Sequence, residues 1–216
     1  MKGFTNAVSE CQKQAHPLGW AHIKKYLEIA GDSLRAIRDC ALLCVAYDTM
    51  ARRSELVALN FADIERLPDA TGRALIRRSK TDQAGEGSQA YLSRQTIRYL
   101  LAWTGASGIS GGGALFRGLR GAHALGDRMN VDSVAETYKR VARAIGMPIE
   151  QVEEISGHSI RVGAAQDLLA LNIDLASVMQ AGRWKSARMP MRYGEHVLAA
   201  RGGMARAAAA QGRDST

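Results

Sequence analysis

One long apolar stripe constrains this chain more than any other feature. After Gly31-Asp32-Ser33, which offers a helix stop and a fresh N-cap, Leu34, Ile37, Ala41, Cys44 and Val45 recur at helical spacing, marking the buried face of a helix that reaches at least to Tyr47. Such a stripe needs other elements to cover it. The same period returns at Trp20, Ile23 and Leu27, at Ile97, Leu100 and Leu101, at Val131, Val134, Tyr138, Val141 and Ile145, and at Ile160, Ala164, Leu168 and Leu171. The period changes from residue 62, where Ala74-Leu75-Ile76 and Ala90-Tyr91-Leu92 read as short strands joined by the polar, glycine-bearing segment from Ser79 to Gly87. The expected fold is mainly α with a small antiparallel β-sheet (α+β).

At 216 residues and 46% hydrophobic content, the chain suits a single main core. Residues 1–18, punctuated by Pro17-Leu18-Gly19, read as an N-terminal arm or linker, and residues 19–216 as the packed domain. Asn172-Ile173-Asp174 breaks the helix that starts near His158 and caps a short one through Met179. An Ala/Arg-rich, helix-prone tail runs from Ala199 to Ala210.

A formal net charge of +8 creates a field that attracts polyanions, nucleic acid first among them. The three cysteines, 11, 40 and 44, indicate no disulfide framework, and no signal peptide or membrane-spanning run is present. A cytoplasmic, nucleoid-associated protein without membrane contact is expected. The glycines of the Gly105–Gly113 loop lack the lysine and Ser/Thr of a P-loop, which sets nucleotide binding aside. No clustered Asp/Glu/His ligand set is seen, so neither metal nor other cofactor is expected, and Glu150, Glu153 and Glu154 read as a solvated acidic turn.

Several polar residues stand out. Arg52 and Glu55 fall on one face at the start of a helix, where Glu55 can orient the arginine; alone, such a pair contributes about a few tenths of a kcal/mol. Lys80 stands at the start of the hairpin tip, from which a flexible amine can swing toward a ligand. Arg117, Arg120 and Arg128 form a basic patch of candidate phosphate contacts. His158 and Arg161 share the first turn of their helix, and Trp184 precedes Tyr193 by nine residues.

Taken in order, Ala46-Tyr47-Asp48-Thr49 before Arg52, Ser54-Glu55-Leu56 after it, the run from Gly157 to Ala165, and Val178-Met179-Gln180-Ala181-Gly182-Arg183-Trp184 resemble the tyrosine recombinase (phage integrase) family, and Cre-type recombinases in particular. The likeness spans roughly residues 30 to 200. It implies the catalytic-domain fold of DNA breaking-rejoining enzymes, without the family's usual N-terminal core-binding domain. It also implies a catalytic set of Arg52, Lys80, His158, Arg161, Trp184 and Tyr193, supported by Glu55. The implied partners are double-stranded DNA with inverted-repeat recombination sites and, on DNA, three further copies in a homotetramer; the free protein is expected as a monomer. In Cre-type enzymes the helix matching residues 130–145 approaches the major groove with an arginine near its start. Asp132 stands there, leaving Arg128, Asn130 and Ser133 as weak candidates for base contact.

The residue types suit phosphoryl transfer. Fixed guanidinium forks can hold nonbridging oxygens, and a phenol needs nearby cations and a base to become a nucleophile. His158 can take the phenol proton or donate to the phosphate, Lys80 can protonate a leaving 5' oxygen, and Trp184 can offer its indole N–H. Two other outcomes use similar residues: a noncatalytic DNA-binding relative, and a type IB topoisomerase or telomere resolvase. Lys80 and Tyr193 lie on elements expected to order only on DNA or in an assembled tetramer, and the tail after Tyr193 is expected to dock on a neighbour.

Overall fold

A computed structural model describes residues 14–77, 87–121 and 123–213. In chain order the elements are α1 (Trp20–Ile29), α2 (Leu34–Thr49), α3 (Arg53–Ala58), β1 (Ile64–Arg66), β2 (Gly72–Ile76), β3 (Ser88–Leu92), α4 (Arg94–Ser107), β4 (Arg117–Arg120), β5 (His123–Arg128), α5 (Asp132–Ala144), α6 (Ile149–Glu153), α7 (Ser159–Ala170), α8 (Leu175–Gly182), α9 (Arg188–Arg201) and α10 (Gly203–Ala210). The mainly α class with small antiparallel sheets is the observed one. No described helix is long and apolar enough to cross a membrane.

The stripe beginning at Leu34 becomes the axis of the core. Ser33 accepts the Ala36 N–H at 3.2 Å, and from Arg38 to Ala46 the helix α2 is buried without interruption, enclosed by α1, α4, α7 and β3. Burial of its second face brings Arg38 and Asp39 inside. Asp39 accepts from Arg38 at 3.0 Å and from Arg140 Nε at 3.2 Å, so the buried carboxylate is compensated from two helices. Arg140, among the polar residues of α5, therefore turns back to the core.

Strand order in the three-stranded sheet is β1-β2-β3, all antiparallel, with Ala74 opposite Ala90. The strand β1 was not expected from sequence, being only three residues long and partly exposed. The tip containing Lys80 lies outside the described residues. Residues 117–128, which carry the basic patch, form a second hairpin, β4-β5, in which Arg117 pairs with Arg128 and Arg120 with His123. The expected acidic turn is the short helix α6.

The helix α7 presents its small residues to two neighbours. A Cβ on Gly163 would lie 2.3 Å from the Leu18 carbonyl group, so the chain entering α1 presses directly on this helix. The contact is fixed further by the Leu18 N–H on the Ser159 carbonyl at 3.0 Å. At the other end of α7, Asp167 accepts the Trp20 N–H at 2.6 Å and the Tyr47 hydroxyl at 2.8 Å, tying α1 and α2 to it. Gly163→Ala is expected to cost on the order of 1–3 kcal/mol through overpacking, read as a lower urea midpoint with unchanged slope; an unaltered midpoint would show that this backbone contact is dispensable.

Candidate active site

Two helix C-termini meet beside α7, each closed by a non-glycine residue in the left-handed region: Met50 (φ 47°) after α2 and Arg183 (φ 54°) after α8. Their terminal carbonyls point into the protein and carry the negative end of each helix dipole. Buried arginines satisfy them. Arg161 on α7 donates to the Met50 carbonyl and to the Gly182 carbonyl, and Arg183 donates to the Thr49 carbonyl at 2.7 Å. The Arg161 guanidinium carbon also stacks 4.3 Å from the centroid of the Trp184 ring. Gly182 is required here, because a Cβ would fall 2.0 Å from Trp184 Cζ3.

Glu55, buried in the first turn of α3, organises two further cations. Its Oε1 accepts from Arg52 Nη1 at 2.6 Å, while Oε2 accepts the Arg52 backbone N–H at 2.9 Å and Arg183 Nη2 at 2.8 Å. Burial alone would raise this carboxyl, but the Arg52 backbone and side-chain bonds and the charges of Arg183 and Arg52 outweigh it, holding it below its ordinary 4.5. This i,i+3 pair is thus not isolated but part of a largely buried network.

Burial, and then the charges of Arg52 and Arg183, bring Arg161 down to about 10, which leaves it cationic at neutral pH. His158, at the exposed mouth of the site, is lowered from 6.5 by partial desolvation and then by the charges of Arg161, Arg53 and Arg52. Its ring is neutral at pH 7 and able to accept a proton.

Tyr193, on α9, packs in the small apolar cluster formed by Met50, Ala164 and Ala165, with its ring edge-on to Trp184 at 5.9 Å between centroids. Its backbone carbonyl accepts from Gln166 at 2.9 Å. Tyr193 and His158 line one cleft of about 290 Å³, also walled by Val162 and Arg192. Tyr193 therefore sits at the cleft in the isolated chain, where sequence reasoning allowed it to be absent. The tail follows it as α9 and α10, packed on each other.

Arg52, Glu55, His158, Arg161, Trp184 and Tyr193 are brought together in this way. The candidate DNA contacts lie on the second hairpin and the start of α5. Arg128 donates to the Leu59 carbonyl at 3.1 Å and to Asn60 Oδ1 at 2.7 Å, and Arg117 to the Ala114 carbonyl at 3.2 Å, so both hold local backbone. Arg120 is exposed at the hairpin end, Asn130 Oδ1 caps α5 by accepting the Asp132 N–H at 2.8 Å, and Ser133 lies half-buried in the first turn of α5. Arg53 pairs with Asp132 at 3.2 Å, linking α5 to the site. Sequence reasoning missed Arg183 as a site residue; its signal was an arginine between Gly182 and Trp184, at a helix end where glycine is usual. Among the described residues, no three His, Cys, Asp or Glu side chains are grouped to hold a metal ion.

The profile of the phage integrase family matches residues 20–199. The chain belongs to this family. It is 28% identical over 187 residues to recombinase cre of Escherichia phage P1, covering 81% of this chain and 54% of that protein. It is 29% identical over 169 residues to an integrase/recombinase xerD homolog of Selenomonas ruminantium, covering 75% and 48%. The chain thus spans about half the length of these phage integrase relatives. Among solved structures, the XerH site-specific recombinase bound to palindromic difH substrate, a post-cleavage complex, shares the fold with a TM-score of 0.65 at 20% identity, over 85% of this chain and 50% of that one.

The depressed Glu55 pKa has a defined sign. An ionised Glu55 adds stability above its unfolded value near 4.5, and that contribution disappears as pH falls through the lower folded value. Glu55→Gln should therefore destabilise the protein most at pH 7 and progressively less toward pH 3, measured by urea unfolding of both proteins; a pH-independent difference would contradict the ion-pair account.

Proposed function

We propose that this chain is the catalytic domain of a site-specific DNA recombinase that cuts by tyrosine attack. The reading is supported above all by one cleft lined by Tyr193 and His158, with Trp184 edge-on to Tyr193, Arg161 stacked on Trp184, and the charges of Arg161 and Arg52 acting on His158. In this scheme the Tyr193 oxygen bonds to phosphorus, the bond from phosphorus to the 5' oxygen breaks, and a 3'-phosphotyrosyl link remains. The neutral His158 ring takes the phenol proton, and the anionic phosphate favours the resulting imidazolium. Arg52 and Arg161 hold the nonbridging oxygens, Trp184 donates its indole N–H and walls the pocket, and Lys80 gives a proton to the leaving 5' oxygen.

The covalent link conserves the energy of the broken phosphodiester, so a second DNA end can attack it without ATP, and no step calls on a metal ion. The substrate is double-stranded DNA with inverted-repeat recombination sites, bound by a homotetramer assembled from free monomers on the nucleoid. The relatives named as recombinases, and the XerH complex with its difH substrate, support DNA as the substrate. The exposed Arg120, and the surface formed by Arg117, Arg128, Asn130 and Ser133, supply candidate contacts to the duplex.

A nicked suicide duplex should leave DNA covalently on the wild-type protein in EDTA, and none on Tyr193→Phe. Arg161→Lys should trap about 10²-fold more slowly or worse, because a lysine cannot span two carbonyls and still offer a fork to phosphate. Equal trapping by Tyr193→Phe, or a strict need for a divalent cation, would overturn the mechanism.

The lowered His158 pKa predicts that the trapping rate holds down through the ordinary imidazole value of 6.5 and falls only at more acidic pH. His158→Gln should be slower and should lose this dependence. An unchanged pH profile in that variant would exclude His158 as the base.

A further inference from the structure

We propose that Arg183 is a third arginine of the phosphate site, a positioning residue that acts through Glu55 and raises the local charge from +1 to +2. The inference rests on the strand-cleavage reading above and adds to it a residue and an electrostatic purpose.

The backbone carries the first observation. Arg183 has φ 54°, a conformation that costs a side-chain-bearing residue roughly 1–2 kcal/mol and that glycine adopts freely. The arginine is held there from both ends of its fork. Nη1 reaches the Thr49 carbonyl at 2.7 Å, Nη2 reaches Glu55 Oε2 at 2.8 Å, and the side chain is only 10% exposed. Its Nε is buried with no hydrogen-bond partner among the described residues. A purely structural cap of α8 needs none of this, since the N–H of residue 183 already returns to the Gln180 carbonyl at 3.0 Å.

The second observation is how the carboxylate is divided. Glu55 gives one oxygen to the Arg52 side chain and the other to Arg183. Two guanidinium groups therefore share a single negative charge, and neither is neutralised. With Arg161 close by, three positive charges stand against one negative, leaving +2; without Arg183 the same cluster carries +1.

A phosphodiester carries one negative charge, whereas the five-coordinate arrangement formed by phenolate attack carries about two. A +1 site matches the ground state and a +2 site matches the transition state. Interactions that strengthen only in the transition state speed the chemical step without tightening substrate binding. Arg183 should thus affect the cleavage rate and leave DNA affinity nearly unchanged.

The test compares single-turnover cleavage of a nicked suicide duplex carrying either the natural phosphodiester or an uncharged methylphosphonate at the scissile position. Arg183→Gly suits the left-handed backbone and removes only the charge and its bonds; Arg183→Lys restores the charge. On the natural duplex, Arg183→Gly should be slower than wild type by about 10-fold or more, with DNA affinity within about twofold. On the methylphosphonate duplex, whose transition state carries one charge fewer, the same variant should lose less than about threefold, and Arg183→Lys should recover much of the natural-substrate rate. Equal slowing on both duplexes would mark Arg183 as structural and overturn the proposal, as would no slowing on the natural one. Because each variant is compared with itself on two substrates, partial misfolding cancels from the ratio. Wild-type protein that traps neither duplex would instead overturn the cleavage reading, and the role of Arg183 with it.

Discussion

The guanidinium of Arg161 joins three elements that no apolar contact could join in the same way. It sits on α7, donates to the terminal carbonyls of α2 and α8, and lies against the ring of Trp184. Helix C-termini that meet inside a protein leave unpaired acceptors and two negative dipole ends facing each other, a costly arrangement without a cation between them. The cation that cures this problem is also one that can face an anionic ligand. Under the proposed function, structural need and phosphate binding are met by the same buried side chain.

Charge at the site is graded by Glu55. A lone carboxylate among three arginines prevents them from repelling one another apart, yet leaves a clear positive excess at the cleft. Partial burial, and then the charges of Arg161, Arg53 and Arg52, lower the His158 pKa, which leaves the ring at the cleft able to accept a proton. The small cluster around Met50, Ala164 and Ala165 then sets Tyr193 and Trp184 against one another. Small residues matter at each contact: Gly182 makes room for the indole, and Gly163 lets the entering chain press α7 into register.

The helices were legible in the amino-acid sequence because their apolar periods and caps are strong: Ser33 and Asp174 both cap the helices that they were expected to start. The strand β1 and the second hairpin were not, since three residues cannot display a period and the arginines and glycines of residues 117–128 hide any alternation. The core network of Asp39 with Arg38 and Arg140 was equally hidden, because i,i+3 and i,i+4 patterns cannot show which charged residues from distant helices will meet. For the site, the ordered motifs that resemble the tyrosine recombinase family singled out Arg52, Glu55, His158, Arg161, Trp184 and Tyr193. Arg183 stood inside the same motif, where an arginine at a helix end was its one signal; its backbone angle and its hold on Glu55 show what that signal meant.

In the proposed function, the cage built around Arg161 receives a DNA phosphate. A crystal structure of the protein with a nicked duplex tests this most directly. The scissile phosphate should lie within hydrogen-bond reach of the Arg52 and Arg161 guanidinium groups and the Trp184 indole, with the Tyr193 oxygen beside phosphorus. A duplex bound with its phosphates against other surfaces, and with the Arg52–Arg161 cage empty of phosphate, would contradict it.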